Sequence, residues 1–295
     1  MFSSDRLRAL DAVAVHGSLA RAAAALHITP SGVSQQLAKL EREAGHKLLE
    51  PQGRGVRLTH AGRVLAEHAA RVVAQLTAAE SDLADLGDEV LGPLRLGGVG
   101  SCLRALLPDV LATLTEAHPR LRPTVVDGEA VDLVPLLLSG ELDLLLIESW
   151  HSRPMPLPEG VRVRTLAVEE VQVALPARHP LAGRDTLDLA ELDGTSWSSC
   201  PVGTEPYEAL VQALRARGVE PKVRYAVTEY ATQLAFVAGG LTAALVPGMA
   251  RRPCPSGVRF VSVRPPLRRE VRAAWRAGGD SPAVRACLAA LPVRE

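Results

Sequence analysis

The sequence predicts an α/β protein in three parts: a small helical head ending in a two-stranded wing, a long linking helix, and a larger body of alternating strands and helices. Three observations lead there. Residues 18–62 hold two short helical stretches with clear start signals and a Gly-Arg-Gly tip. From Leu65 onward apolar residues recur at alternating steps of four and three. After Gly92-Pro93, short apolar runs alternate with helical ones, as in a layered α/β domain with a largely parallel sheet.

In the head, Leu19, Ala22, Ala23 and Leu26 form an apolar stripe at helical spacing, with Ser18 placed to cap it. His27 and Ile28 fill a turn. Thr29-Pro30 then starts a second helix, a hydroxyl cap followed by proline at the first helical position. On this helix, Thr29–Glu43, the residues Val33, Leu37 and Leu40 face inward, leaving Ser31, Ser34, Gln35 and Ala38 outward. Small polar groups and an amide there suit base edges and phosphates, because glutamine can bond an adenine edge twice. Gly32 costs up to ~1 kcal/mol of helix propensity but permits close approach to a surface. Gly45 stops the helix. Gly53-Arg54-Gly55 suits a hairpin tip, with Arg54 and Arg57 offered to phosphates, and Thr59 caps the next helix.

The heptad Leu65, Ala69, Val72, Leu76, Ala79, Leu83, Leu86, Val90 is the seam of a coiled coil, which predicts self-association through this helix. In the body, strands are expected at 94–97, 124–127, 142–148, 161–167, 170–175, 222–227, 242–246, 258–263 and 271–275. Helices are expected at 101–118, 131–138, 205–217, 230–238 and 282–291.

The chain has 295 residues, enough for two domains with sizeable cores. Its formal charge is zero but unevenly spread. Residues 1–75 carry ten Lys/Arg against six Asp/Glu, net +4, and the remainder 23 against 27, net −4. A basic head on an acidic body fits nucleic-acid binding by the head alone. No apolar run reaches 18 residues, so no membrane partner is expected, and Asp5, Arg6 and Arg8 without a signal-peptide core predict a cytoplasmic protein. Cys102, Cys200, Cys254 and Cys287 lack metal-ligand spacing, and no catalytic signature occurs. No metal, no cofactor and no enzymatic activity are expected.

The segments Gly17-Ser18, Arg21-Ala22-Ala23, Leu26-His27, Val33-Ser34-Gln35-Gln36, Leu40-Glu41, Gly53-Arg54-Gly55-Val56-Arg57-Leu58-Thr59 and Ala61-Gly62 resemble the winged helix-turn-helix of the LysR-type transcriptional regulators. Leu49 and Pro51 depart from the family's usual Phe and basic residue. The likeness continues more loosely through Ser139-Gly140-Glu141-Leu142-Asp143-Leu144, His179-Pro180-Leu181-Ala182 and Val237-Ala238-Gly239-Gly240-Leu241 to Val246-Pro247. It implies a DNA-binding domain over residues 1–58, a linker and dimerisation helix over 59–91, and an effector-binding domain over 92–295. The last would be a two-subdomain periplasmic-binding-protein-like α/β fold, with subdomain I at 92–164 and 265–295, subdomain II at 165–264, and crossings near Arg164 and Arg264.

The implied partners are double-stranded promoter or operator DNA, a small-molecule effector, and a second copy of the chain, as a dimer and a dimer of dimers. DNA contacts fall to Ser18, Arg21, Thr29, Pro30, Ser31, Ser34, Gln35, Lys39, Arg54 and Arg57, and dimerisation to Leu65, Val72, Leu76, Leu83 and Leu86. Effector contacts fall to Gly100, Ser101, Cys102, Glu148, Val202, Gly203, Thr204, Thr228 and Pro247. The starts at Gly98-Val99-Gly100-Ser101, Pro201-Val202-Gly203-Thr204 and Thr228 are each a ready anion or carboxylate site, with simple helix capping the plainer alternative. Glu148, Glu205 and Glu229 are expected as solvated loop carboxylates; turned inward, they would favour a cationic or amino-acid effector. Trp150 could cover a ligand or anchor a loop. Cys200 lies where peroxide-sensing members carry their reactive thiol, so a redox regulator of the same fold is an alternative. A solute receptor is a weaker rival. A nucleotide-dependent enzyme is weaker still, because Leu103 stands where a dinucleotide loop needs its third glycine.

Overall fold

The computed structural model describes residues 2–26, 28–52, 55–84 and 90–293. The head with its long helix forms one compact unit and the body another.

The head opens with helix α1 (Ser4–His16), which the sequence reading did not anticipate although Leu7, Leu10 and Val13 carry its inward stripe. Gly17 ends it in the left-handed region, φ 62°, where glycine is the unstrained residue. Helix α2 (Leu19–Ala25) starts at Ser18, whose Oγ accepts from the Arg21 amide at 3.5 Å. Helix α3 (Pro30–Ala44) starts at Thr29, whose hydroxyl accepts from the Gly32 amide at 3.1 Å. The wing is an antiparallel hairpin of β1 (Leu49–Gln52) and β2 (Gly55–Leu58). Helix α4 (His60–Ala84) follows Thr59, whose hydroxyl accepts from the Gly62 amide at 3.0 Å and donates to the Lys47 carbonyl at 2.6 Å. A Cβ on Gly62 would come 2.0 Å from the Leu48 carbonyl oxygen, so only glycine lets α4 lie this close to the wing's root.

The heptad of α4 divides. Ala69 is fully buried in the head's own core and Leu65 packs against it, with Leu10, Val13, Leu37 and Leu40. Leu65 is therefore partly taken up by its own chain's core, with part of its surface left open. Val72 and Leu76 stand 41% and 36% exposed. The Leu83 side chain and all of Leu86 lie outside the described residues.

In the body, a seven-stranded sheet runs in the order β10-β6-β11-β5-β3-β4, with β7 paired to β11. Its members are β3 (Gly92–Gly98), β4 (Leu121–Asp127), β5 (Leu144–Trp150), β6 (Val161–Pro176), β7 (Thr186–Leu187), β10 (Ala244–Pro247) and β11 (Val258–Arg276). A separate parallel pair joins β8 (Ser196–Ser199) to β9 (Lys222–Ala226). The helices are α5 (Gly100–Ala117), α6 (Ala130–Ser139), α7 (Glu205–Arg215), α8 (Tyr230–Ala238) and α9 (Pro282–Ala290). The expected largely parallel sheet is mixed instead. Strand β3 is parallel to β4 and β5, whereas β11 is antiparallel to both β5 and β6, and β10 to β6.

The reason is that β6 and β11 each merge two expected strands into one long ribbon, with a register shift between Ser262 and Leu267. Their apolar pattern breaks at Glu169-Glu170 and around Arg268-Arg269, which looked like strand ends in the sequence. Those breaks fall where the ribbon passes from one hydrophobic core to another. One core gathers Leu94, Leu96, Val110, Leu144, Val271 and Val284 around α5 and α9. The other gathers Val171, Val173, Trp197, Leu210, Leu214 and Val261 around α7. Trp150 is 2% exposed in this second core, an anchor rather than a ligand cover.

Candidate functional site

Two surfaces carry unspent chemistry. The first is the outer face of α3. Thr29, Pro30, Ser31, Ser34, Gln35 and Lys39 are all exposed, while Val33, Leu37 and Leu40 between them are buried. The amphipathic spacing thus sets a polar stripe outward on a helix held from below by apolar packing. Thr29 and Ser31 share a hydroxyl–hydroxyl bond of 3.0 Å. Arg21 is exposed beside this stripe's start in sequence, and Ser18 is half-buried by its capping role.

The wing is tied to α3 by Glu41. Its carboxylate accepts from the Leu48 and Leu49 amides at 2.9 and 3.3 Å and from Lys47 Nζ at 2.8 Å. Burial opposes ionisation there, but these bonds outweigh it and hold the carboxyl below its usual range. Arg57 pairs with Glu50 across the hairpin at 2.7 Å, so a phosphate must compete with that carboxylate. Arg54 lies outside the described residues.

The second surface is a cleft in the body, formed by two cavities that share Glu129. The smaller, about 240 Å³, is lined by Gly100, Ser101, Arg104, Asp127, Gly128, Glu129, Asp132, Thr228, Glu229 and Tyr230. The larger, about 510 Å³, is lined by Glu129, Val131, Val134, Arg153, Met155, Gly203, Thr204, Glu205 and Glu208 among others. Of the residues expected to meet an effector, Gly100, Ser101, Thr228, Gly203 and Thr204 reach these walls. The others do not. Val202 is 74% exposed and lines neither cavity. Cys102 is fully buried in the α5 core, and Pro247 is buried at the end of β10. Glu148 is not a solvated loop carboxylate but is 2% exposed.

Glu148 belongs to a buried charge node beneath the cleft. Arg269 on β11 is wholly buried; its Nη1 donates to Glu148 Oε2 at 2.5 Å and to Ser101 Oγ at 3.1 Å. Its Nε donates to Glu169 Oε1 at 2.6 Å. The sheet register explains the meeting, since Arg269 lies directly opposite Glu169, and β5, carrying Glu148, flanks β11 on the other side. The other Glu169 oxygen accepts from the Met249 amide at 2.7 Å. Burial works against the guanidinium's charge, yet the surrounding carboxylates outweigh it and hold its pKa above the ordinary value.

Each of the three helix starts expected to hold an anion has a carboxylate of the chain near it, and at α8 that carboxylate caps the helix. Asp127 Oδ1 lies so close to the start of α5 that a Cβ on Gly100 would be 3.3 Å from it. Glu205 and Glu208 occupy the first turn of α7, where Thr204 donates its hydroxyl to the Pro201 carbonyl at 2.7 Å instead of capping. Helix α8 spans the residues expected, but Thr228 is not its cap. Its cap is Glu229, which accepts from the Ala231 and Thr232 amides at 2.9 and 2.7 Å, and Thr228 is an exposed residue before it. Six carboxylates line the two cavities against two guanidiniums, and each guanidinium already faces one of them: Arg104 to Glu229 at 3.5 Å and Arg153 to Glu205 at 3.9 Å. Burial, with Glu148, Asp127 and Asp132 adding to it, pushes Glu129 up to about 7. Sequence reasoning missed Glu129, Tyr230, Glu169 and Arg269, the groups that define this site.

Cys200 is 1% exposed, with its thiol donating to the Thr228 carbonyl at 3.6 Å and accepting from Gln233 Nε2 at 3.7 Å. Burial pushes this thiol well up, and pushes Cys102 and Cys287 up to about 12.

Comparison with known proteins agrees with this layout. A family model described as "Bacterial regulatory helix-turn-helix protein, lysR family" matches residues 4–63, and "LysR substrate binding domain" matches residues 87–292. The chain is 33% identical to the small neutral protease regulatory protein of Streptomyces coelicolor, covering 79% of this chain and 70% of that one. It is 37% identical to a probable hydrogen peroxide-inducible genes activator of Mycobacterium xenopi, over 60% of this chain and 92% of that one. Its fold matches full-length OxyR from Pseudomonas aeruginosa, a cysteine-to-aspartate variant, with a TM-score of 0.75 at 22% identity, covering 100% and 99% of the two chains. A reading helix on a winged head, joined to a body matched by the ligand-binding model over most of the chain, makes this protein a member of the LysR family of DNA-binding transcriptional regulators.

Proposed function

We propose that α3 enters the major groove of operator DNA, with Pro30, Ser31, Ser34 and Gln35 approaching bases or adjacent phosphates. Ser18, Arg21, Thr29, Lys39, Arg54 and Arg57 hold the flanking backbone. The exposed polar stripe on a doubly anchored helix carries this reading: its base is packed on the head core and its wing is tied back through Glu41. The working boundaries are 1–58, 59–91 and 92–295, the last with its subdomains at 92–164 plus 265–295 and at 165–264. Two chains associate along the exposed part of α4, where Val72 and Leu76 stand open, and present two heads to two half-sites. The protein works in the cytoplasm as a regulator and not as an enzyme. A small molecule in the cleft biases the geometry of the paired heads by binding one arrangement more tightly than the other.

Gel-shift against DNA upstream of the protein's own gene tests the reading. Wild type shifts the fragment, and Gln35→Ala loses about 1–3 kcal/mol against the preferred sequence while retaining non-specific binding. Unchanged sequence preference in Gln35→Ala removes Gln35 as a base reader.

A thiol switch is the second reading, favoured by the likeness to a peroxide-inducible activator. The burial of Cys200 opposes it, because a reactive thiol needs exposure and a lowered pKa. Cys200→Ser is expected to bind DNA as wild type does, with and without hydrogen peroxide. Loss of a peroxide response in that variant alone would reinstate the switch.

A further inference from the structure

We propose that the ligand of the cleft is an organic cation, an ammonium group carried on an apolar body. This rests on reading the body as a ligand sensor, and it names the chemical class sensed.

Charge is the first argument. An anionic ligand would meet six carboxylates, and the helix starts that could have held it already face Asp127, Glu205 and Glu229. The two cavity-lining guanidiniums are both turned to carboxylates of the same walls. The Glu129 carboxyl, on a residue common to both cavities, has no hydrogen-bond or ion-pair partner among the described residues, whereas the backbone carbonyl of Glu129 accepts from the Asp132 and Leu133 amides. Burial leaves the carboxyl near half-protonation at neutral pH, as expected of a group lacking its counter-charge.

The second argument is independent of the acidic residues. Tyr230 is 6% exposed and lines the smaller cavity, yet its phenol oxygen is buried with no hydrogen-bond partner. Buried polar groups are almost always satisfied, so an orphan oxygen buried on a residue that lines a cavity points to a ligand donor reaching it from that side. An ammonium has three donors and no acceptor, which complements a carboxylate and a phenol oxygen. One Glu205 oxygen, on the larger cavity, is likewise buried without a partner.

Shape supplies the rest. Val131, Val134 and Met155 line the larger cavity and suit an aliphatic body. A bare metal ion fits less well, since no group of three or more His, Cys, Asp or Glu among the described residues is arranged to hold one.

Isothermal titration of the full-length protein at pH 8 and constant ionic strength tests the proposal with hexylamine and 1,6-diaminohexane as probes and hexanoate as the control. The amines bind and hexanoate does not. Glu129→Gln and Tyr230→Phe each weaken amine binding about tenfold, while both variants still shift operator DNA. Binding of hexanoate in preference to hexylamine overturns the proposal, as does the absence of amine binding, or amine binding indifferent to both substitutions. Magnesium or manganese chloride binding in place of the amines, and lost in Glu129→Gln, assigns the cleft to a metal instead. Failure of the unliganded wild type to shift any DNA strikes the regulator reading; intact DNA binding without amine binding strikes this inference alone.

Discussion

The face of α3 and the cleft of the body solve opposite problems. On the head, polar groups meant for a partner are kept exposed, and groups that must be ordered are satisfied nearby. Ser18, Thr29 and Thr59 cap helices, Glu41 ties the wing, and Glu50 holds Arg57. In the cleft, charges are drawn inward and some are left without partners: the Tyr230 phenol, one Glu205 oxygen, and the half-titrated Glu129. On the head these capping and tying groups are satisfied within the chain, although the buried Arg6 Nε has no partner. The cleft keeps polar groups unpaired, and under the proposed reading a matching ligand would release the free energy their burial costs.

The contrast can be broken first at the charge node. Replacing Arg269 with Met leaves Glu148 and Glu169 as uncompensated buried charges, and the expected loss is about 3–5 kcal/mol of body stability, read by urea denaturation. A loss below about 1 kcal/mol would mean that the carboxylates neutralise or find water, and that the node is no structural keystone. The next effect belongs to Glu129. Its folded pKa of about 7 lies above the unfolded value, so between pH 4.5 and 7 the folded state binds more protons and stability falls as pH rises. Asp127, Asp132 and Glu148 face it and add to the shift, while Arg269 opposes them. Glu129→Gln should recover about 2 kcal/mol at pH 8 and little at pH 4, giving a flatter melting-temperature profile than wild type. A parallel pair of profiles separates Glu129 from the cleft's acidity. The smallest effect is on the head. Thr29→Ala removes one cap at a cost of about 1 kcal/mol, independent of pH from 5 to 8 by circular dichroism. A pH-dependent loss there would show that the head too carries unspent charge.

The two regions also differ in how legible they were. The head's caps, stop glycines and inward stripe act within a few residues of one another, so Ser18, Thr29, Gly45 and Thr59 stand in sequence where they act in space. The exception is α4, whose heptad looks uniform although Leu65 and Ala69 serve the head core while Val72, Leu76 and Ala79 stand open among the described residues. No periodicity distinguishes a seam within one chain from a seam between two. The cleft is the reverse. Its carboxylates come from residues 127–132, 205–208 and 229, brought together only by the fold. Arg268 and Arg269 are adjacent and alike, and which one turns inward is decided by strand alternation once the register with Glu169 is set. The carboxylates near the helix starts were hard to see for the same reason: Asp127 comes close to the start of α5 only through the fold.

The close approach of Gly62 to Leu48 has a mechanical consequence. With no side chain between them, and with Ala66 and Ala69 sunk in the head core, the first turns of α4 are fused to the root of the wing. A 25-residue helix is roughly 37 Å long at 1.5 Å per residue. A rigid rod of that length tilted by about 5° moves its end by about 3 Å, about one base-pair step along the duplex. What this glycine keeps is the length of the lever: the wing and the first turns of α4 stay one piece.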